Sequence, residues 1–252
     1  MDKVNSIAPE LRTLLRGARH IAVLTGAGIS AESGLPTFRQ AQTGLWARYR
    51  PEDLATMRAF VRDPVLVWDW YAWRRQLAKD AEPNAGHRAL ARLQGRVPRL
   101  DLVTQNVDGL HQRAGSRDVV ELHGNILRCR CNREGTRFES WDEEGEKPPR
   151  CTACGAHLRP DVVWFGESLP EEALAAAYGA AEACDLFLCI GTSALVQPAA
   201  SLPYAALRRG VPVVEVNPDE TPLSRAATHV LKGAAGEVLP VWAEAAWTAA
   251  GV

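Results

Sequence analysis

The chain predicts an α/β fold: a Rossmann-type parallel sheet with helices on both faces, plus a smaller inserted zinc-and-helix module. Three observations predict it. Apolar runs of strand length alternate with helical patterns along most of the 252 residues, the arrangement that gives a parallel sheet covered on both sides. The first run passes directly into a glycine pair, Gly26 and Gly28. Two segments, 45–82 and 129–158, break the alternation; one is Trp-rich and helical, the other carries four clustered cysteines.

Taken in order, residues 8–19 read as a helix and residues 20–25 (HIAVLT) as a buried strand. Further strands are expected at 100–104, 118–122, 184–191, 211–216 and 228–231, with helices at 85–94, 171–182, 198–210 and 236–250 between or after them. The charged, Pro-containing stretch DEEGEKPPR inside 129–158 cannot bury much apolar surface. The expected organisation is therefore discontinuous. Residues 1–44, 83–128 and 159–252 form the sheet domain, and 45–82 with 129–158 form the small helical and metal-binding module.

Composition excludes several function classes. A formal net charge of −1 gives no electrostatic case for specific nucleic-acid binding. No apolar run approaches a membrane span, and the N-terminal residues lack the apolar core of a signal peptide. Six cysteines are too few for a disulfide scaffold of this size; Cys184 and Cys189 sit in an apolar run as core thiols, and a cytoplasmic location is expected.

Polar residues collect at the expected strand ends, where open α/β sheets bind ligands. After the first strand comes TGAGISAESGLPTFR, residues 25–39, whose glycines let backbone N–H groups approach a pyrophosphate. Ser30, Ser33, Thr37 and Arg39 in the same loop suit phosphate or ribose. The third glycine is Gly34, so the spacing is not the usual G-x-G-x-x-G. Residues 104–109 (TQNVDG) end another strand, although Asn106 and Asp108 there also suit an Asx turn. His123, in ELHG, offers a near-neutral base; a lone His beside a glycine is otherwise structural. Gly191-Thr192-Ser193 and Asn217-Pro218-Asp219 add small polar groups at two more strand ends.

GAGISAESGLPTFR, TQNVDGLH, ELHG, RPDVVWFGE, GTS and VNPD occur in the order and near the spacing found in sirtuins, the NAD-dependent protein deacylases, and the resemblance runs from about residue 8 to 245. It implies that Gly26, Ala27, Gly28, Ser30, Thr37, Phe38 and Arg39 wrap the NAD pyrophosphate and nicotinamide ribose. Gln105, Asn106 and Asp108 would line the nicotinamide pocket, and His123 would be the general base. Gly191, Thr192 and Ser193 would contact phosphate and ribose, with Asn217 and the backbone near Ala235 at the adenosine end. Val163, Trp164, Phe165 and Gly166 resemble the strand that pairs with an acyl-lysine peptide or protein. In the implied reaction the acyl oxygen attacks C1′ of the nicotinamide ribose as nicotinamide leaves. His123 then deprotonates a ribose hydroxyl, giving lysine, nicotinamide and O-acyl-ADP-ribose.

The family's two C-x-x-C pairs imply one structural zinc per chain. Here Cys151 and Cys154 form an intact second pair, but the first is altered. Counted from His123, Cys131 falls on the first ligand position and Glu134 on the second, while Cys129 lies two residues before Cys131. The fourth ligand is Glu134 or Cys129, and a lost site with leftover thiols remains an alternative.

The helical segment WDWYAWRR places Tyr71 and Arg74 three apart, on one face. One reading is an amphipathic helix with Trp68, Tyr71 and Leu77 packed inward and Arg74 and Arg75 solvated. The other rests on the resemblance: Tyr-x-x-Arg here is similar to the signature of sirtuins that remove succinyl and malonyl groups. A dicarboxylic acyl chain carries a charge whose unpaired burial would cost several kcal/mol, and an arginine fork with a tyrosine hydroxyl can meet it. Two other classes share features with the chain. A dinucleotide oxidoreductase would need no cysteine module, and a zinc-ribbon nucleic-acid binder would not explain the polar strand ends.

Overall fold

The computed structural model of the protein describes residues 7–35 and 51–247. Thr37, Phe38 and Arg39 lie outside the described residues. The chain runs α1 (Pro9–Gly17), β1 (His20–Thr25), a 3-10 segment (Ala27–Ser33), α2 (Pro51–Leu54), α3 (Met57–Arg62), α4 (Pro64–Asp80) and α5 (Ala85–Gln94). It continues through β2 (Arg99–Thr104), α6 (Leu110–Arg113), β3 (Val120–Glu121), β4 (Gly124–Cys131), β5 (Arg137–Phe138) and β6 (Leu158–Val162). The last part is α7 (Glu171–Ala183), β7 (Leu186–Ile190), α8 (Leu202–Arg208), β8 (Val213–Asn217), β9 (His229–Lys232) and α9 (Ala235–Trp247).

Among the described residues two sheets form. The larger has the order β3-β2-β1-β7-β8-β9, and every pairing in it is parallel. Its strands read as near-continuous apolar runs because helices cover both faces. Leu11, Leu15, Leu90, Leu93, Leu239 and Trp242 pack on one face, while Ala177, Ala181, Leu202 and Ala206 pack on the other. Cys184 and Cys189 are buried in this second layer.

Register decides where the loops emerge. Thr25 pairs with both Thr104 and Ile190, Thr104 pairs with Glu121, and Ile190 pairs with Val216. The segments that follow these residues therefore leave the sheet at one edge. Strand order reverses direction between β1 and β7, which is the switch point where such sheets open a crevice.

The smaller sheet has the order β5-β4-β6 and is antiparallel. The sequence pattern does not predict it. Its β4 begins at Gly124 and β6 ends at Val162, so by strand pairing it extends beyond 129–158 on both sides. Gly124 adopts φ +78°, and a Cβ there would collide with the Asp161 carbonyl, so this tight crossing needs glycine. Helices α2 to α4 make up most of residues 51–80, and α4 packs on β4 and the end of β6 through Trp70, Tyr71, Ile126, Val162 and Trp164.

Candidate active site

At the switch point the 3-10 segment lies against the turn after β7. Gly26 N donates to Ile190 O at 3.0 Å, and Gly28 N donates to Gly191 O at 2.7 Å. A Cβ on Gly28 would stand 2.7 Å from the Gly191 Cα and carbonyl. These two glycines thus bring one backbone onto another, and their N–H groups are used within the protein. That differs from the expectation that they face a pyrophosphate. Gly191 itself has φ +59°, and a Cβ on it would strike Ile29 N.

Across the crevice Gln105 Nε2 donates to Thr192 Oγ1 at 3.0 Å and Asn217 Nδ2 donates to Thr192 O at 2.8 Å. Ser193 is exposed beside them. Glu32 accepts from Gly236 N at 2.6 Å, which ties the 3-10 segment to the start of α9, where Ala235 is buried. The five expected strand ends are therefore brought together.

Ser30 is the centre of a buried network. Its Oγ donates to Asp108 Oδ2 at 2.7 Å and receives Asn106 Nδ2 at 3.1 Å. Asn106 Nδ2 also reaches Gly26 O at 3.1 Å. The second Asp108 oxygen accepts from Leu110 N at 2.9 Å, an Asx turn and a cleft position at once. Burial pushes the Asp108 carboxyl pKa up, opposed by these donors and by the Arg74 charge.

Two buried histidines lie beneath, their ring centroids 4.8 Å apart. His87 Nε2 is 3.4 Å from Ser30 Oγ, and His111 Nε2 is 2.9 Å from Thr25 Oγ1. Burial holds both neutral, with pKa values of about 4 for His87 and about 3 for His111. His111 ends the motif TQNVDGLH and His87 lies outside the motifs, and the sequence assigns neither a role, because their partners are 86 and 57 residues away.

His123 follows β3 and is half-buried. Its Nδ1 is 2.9 Å from Gln105 O, a carbonyl that can only accept, so Nδ1 carries the proton and Nε2 presents a lone pair. Desolvation lowers the pKa below the ordinary histidine value, offset in part by that bond. The ring is thus oriented and neutral, which is the state a general base needs. Glu121, two residues earlier, accepts from Gln112, Asn125 and Arg128 and so pins the turn.

Helix α4 reaches the same edge. Tyr71 is buried, accepts from Trp164 Nε1 at 3.0 Å, and has its pKa pushed up to about 12 by burial. Arg74 is partly exposed, with its guanidinium 4.9 Å from the Trp70 ring centroid and 5.8 Å from that of Tyr71. Desolvation lowers its pKa, opposed by Tyr71 and Asp108. Arg75 behaves differently from the expectation that it stays solvated. It is 4% exposed, packs against both the Trp68 and Trp141 rings, and donates to Ile126 O at 2.9 Å. One residue further round the helix, the same side-chain type is part of the core.

Segment Val163–Gly166 follows the end of β6 and is not itself part of a sheet here. The strand ends at Val162. The N–H groups of Val163, Trp164 and Phe165 donate to His123 O, a Glu167 carboxylate oxygen and Ala55 O. Trp164 is core: Arg159, itself buried, stacks on its ring and is bonded to Glu167. Phe165, in contrast, is 48% exposed, as are Leu195 and Val196 to similar extents.

The donor atoms of Cys131, Glu134, Cys151 and Cys154 all lie within 4.8 Å of one another, with Cys131 and Cys154 sulfurs 3.4 Å apart. Tetrahedral zinc with bonds of about 2.3 Å sets its ligands roughly 3.8 Å apart, so three thiols and a carboxylate at these separations fit a structural zinc. Cys129 is not among them. It is fully buried against Arg75, its thiol pKa raised to about 12 by burial, so the fourth position falls to Glu134.

A doubly covered parallel sheet with a polar crevice at its switch point, and a cysteine module beside it, defines a nucleotide-binding protein of the Rossmann type. The model of the Sir2 family matches residues 26–198, and the chain belongs to that family. It is 54% identical over 235 residues to the "NAD-dependent protein deacylase 1" of Pseudomonas aeruginosa, covering 90% of this chain and 94% of that protein. A crystal structure of a Sir2 homolog–NAD complex superposes with a TM-score of 0.89 at 47% identity, over 95% of this chain and 94% of the other. A Sir2 protein bound to acetylated peptide gives a TM-score of 0.81 at 34% identity, over 92% and 94%.

Proposed function

We propose that the chain is an NAD-dependent protein-lysine deacylase that removes acetyl groups and, through Tyr71 and Arg74, succinyl and malonyl groups. The observation that carries this reading is His123, neutral and aimed by Gln105 O, at the edge that also holds Ser30, Asn106 and Asp108. NAD, when bound, supplies the ribose carbon that takes up the acyl oxygen. Gln105, Asn106 and Asp108 line the nicotinamide side, and Thr192, Ser193, Asn217 and the α9 start line the remainder. The Nε2 of His123 takes the proton of a ribose hydroxyl. With one water consumed as the amine leaves the acyl carbon, the products are nicotinamide, O-acyl-ADP-ribose and the free lysine.

The acyl chain enters between His123 and α4. Arg74 meets a terminal carboxylate with its two-pronged donor face, and its stacking on Trp70 and Tyr71 fixes that face. Phe165, Leu195 and Val196 offer exposed apolar surface to the peptide, which pairs with carbonyls of 163–166 because the N–H groups of Val163, Trp164 and Phe165 are engaged. The NAD-binding domain is residues 1–44, 83–128 and 159–252 and the small module is 45–82 with 129–158, and the cleft between them takes NAD from one side and acyl-lysine from the other. Among the described residues no helix is long and apolar enough to cross a membrane. No disulfide joins the six cysteines, and three of them gather as metal ligands, which supports a cytoplasmic setting.

Incubation of the protein with NAD and acetyl- or succinyl-lysine peptide tests the reading. Nicotinamide release coupled to lysine deacylation, without NADH, is expected. NADH formation, or no turnover of either peptide, would contradict it.

A further inference from the structure

The site rests on a residue outside the strand-end motifs. Asn84 precedes α5 and uses every polar atom of its side chain. Its Oδ1 accepts from Gly86 N at 2.9 Å and His87 N at 3.3 Å, capping the helix. Its Nδ2 donates to Ile29 O at 2.7 Å and Ser33 Oγ at 3.0 Å, both on the 3-10 segment that forms one wall of the crevice. Its backbone N donates to His87 Nδ1 at 3.3 Å.

That last bond has a chemical consequence. His87 is neutral, so a ring nitrogen that accepts leaves the other to carry the proton. Nε2–H therefore points to Ser30 Oγ as a donor, and Ser30 must direct its own hydroxyl proton to Asp108. One residue thus fixes the position of the 3-10 segment and the direction of the hydrogen bonds from His87 through Ser30 to Asp108.

We propose that Asn84 is a positioning residue for NAD binding, holding the 3-10 segment against the crevice through its Nδ2 donors while its Oδ1 caps α5. The proposal rests on the NAD reading for the identity of the ligand. Cap and tether are chemically separable. Asn84→Ser and Asn84→Asp both retain a good N-cap acceptor, but neither has an amide donor to reach Ile29 O. Asn84→Ala removes both functions.

The test measures KM for NAD, kcat and thermal midpoint for the full chain and the three variants, with direct NAD binding by calorimetry. Loss of two hydrogen bonds predicts KM and Kd for NAD raised about tenfold to thirtyfold in Asn84→Ser and Asn84→Asp, with kcat within about threefold. Their midpoints should stay well above that of Asn84→Ala, because the cap survives. Wild-type KM in Asn84→Ser overturns the proposal, even if Asn84→Asp is impaired, since the added charge then explains the defect. Midpoints as low as in Asn84→Ala overturn it too, by making the residue a scaffold cap. Failure of the unaltered protein to bind NAD would instead count against the proposed function.

Discussion

At the sheet edge, Ser30, Asn106 and Asp108 are short side chains bonded to one another and to backbone at 2.7–3.1 Å. On α4, Tyr71 and Arg74 are long side chains whose contacts include the Trp70 and Tyr71 rings and a bond from Trp164 to Tyr71. The edge takes its precision from aligned strand register, which sequence-distant strands share without adjustment. The helix takes its orientation from what lies beneath it, namely β4, Trp164 and the cysteine cluster that packs on Trp68. On the proposed function, this difference gives the chemistry and the choice of acyl chain separate physical supports, so that each should be open to damage alone.

The largest effect is expected at the edge. His123→Ala should lower kcat for every acyl group by about 10²–10⁴ while leaving NAD binding close to wild type, because the base acts on a bound hydroxyl. Turnover near wild type would remove His123 from the mechanism.

The support under α4 comes next. Cys151→Ser, or a chelator, should release about one zinc per chain and lower the thermal midpoint, since metal binding contributes to folding. Metal analysis showing no zinc in the unaltered protein, with a midpoint indifferent to chelator, would contradict this.

Arg75→Met should cost about 1–3 kcal/mol of stability through the lost bond to Ile126 O and the lost cation–ring contacts with Trp68 and Trp141. Zinc content should be unchanged. Denaturant midpoints equal to wild type would mean that the buried cation does not seat the helix.

The smallest effect is on the pH profile. Burial disfavours the charged imidazole, so His123 is neutral at pH 7 and gains its proton only below the ordinary histidine pKa. The kcat/KM should be flat through neutrality and fall as pH drops through a value below about 6.5. A decline beginning above that value would place a different group in control.

Much of this was legible from the residues. The alternation of apolar runs gives the sheet, and polar residues after TGAG, TQNVDG, ELHG, GTS and NPD mark one edge because parallel strands send all those turns the same way. The small antiparallel sheet was not legible. In β4 the register shifts between Asn125 and Cys129, which breaks the alternating pattern, and β5 is only two residues long. The burial of Arg75 was not legible, since it depends on the tertiary position of Trp141. His87 lies in the expected helix 85–94 and His111 closes the motif TQNVDGLH, but the residues alone assign neither a role. Asn84 carried a local signal, an N-cap residue with a side chain at N3 able to return the bond, which marks a capping box.

The separation of chemistry from acyl choice is tested most directly by the ratio of kcat/KM on succinyl-lysine to that on acetyl-lysine peptide, measured in wild type, His123→Ala and Arg74→Met. His123→Ala should lower both values and leave the ratio nearly unchanged. Arg74→Met should lower the ratio by about tenfold to a hundredfold, through KM for the succinyl peptide, because the buried carboxylate loses its charge-assisted partner. Equal losses on both peptides in Arg74→Met would contradict the account and make Arg74 part of the scaffold.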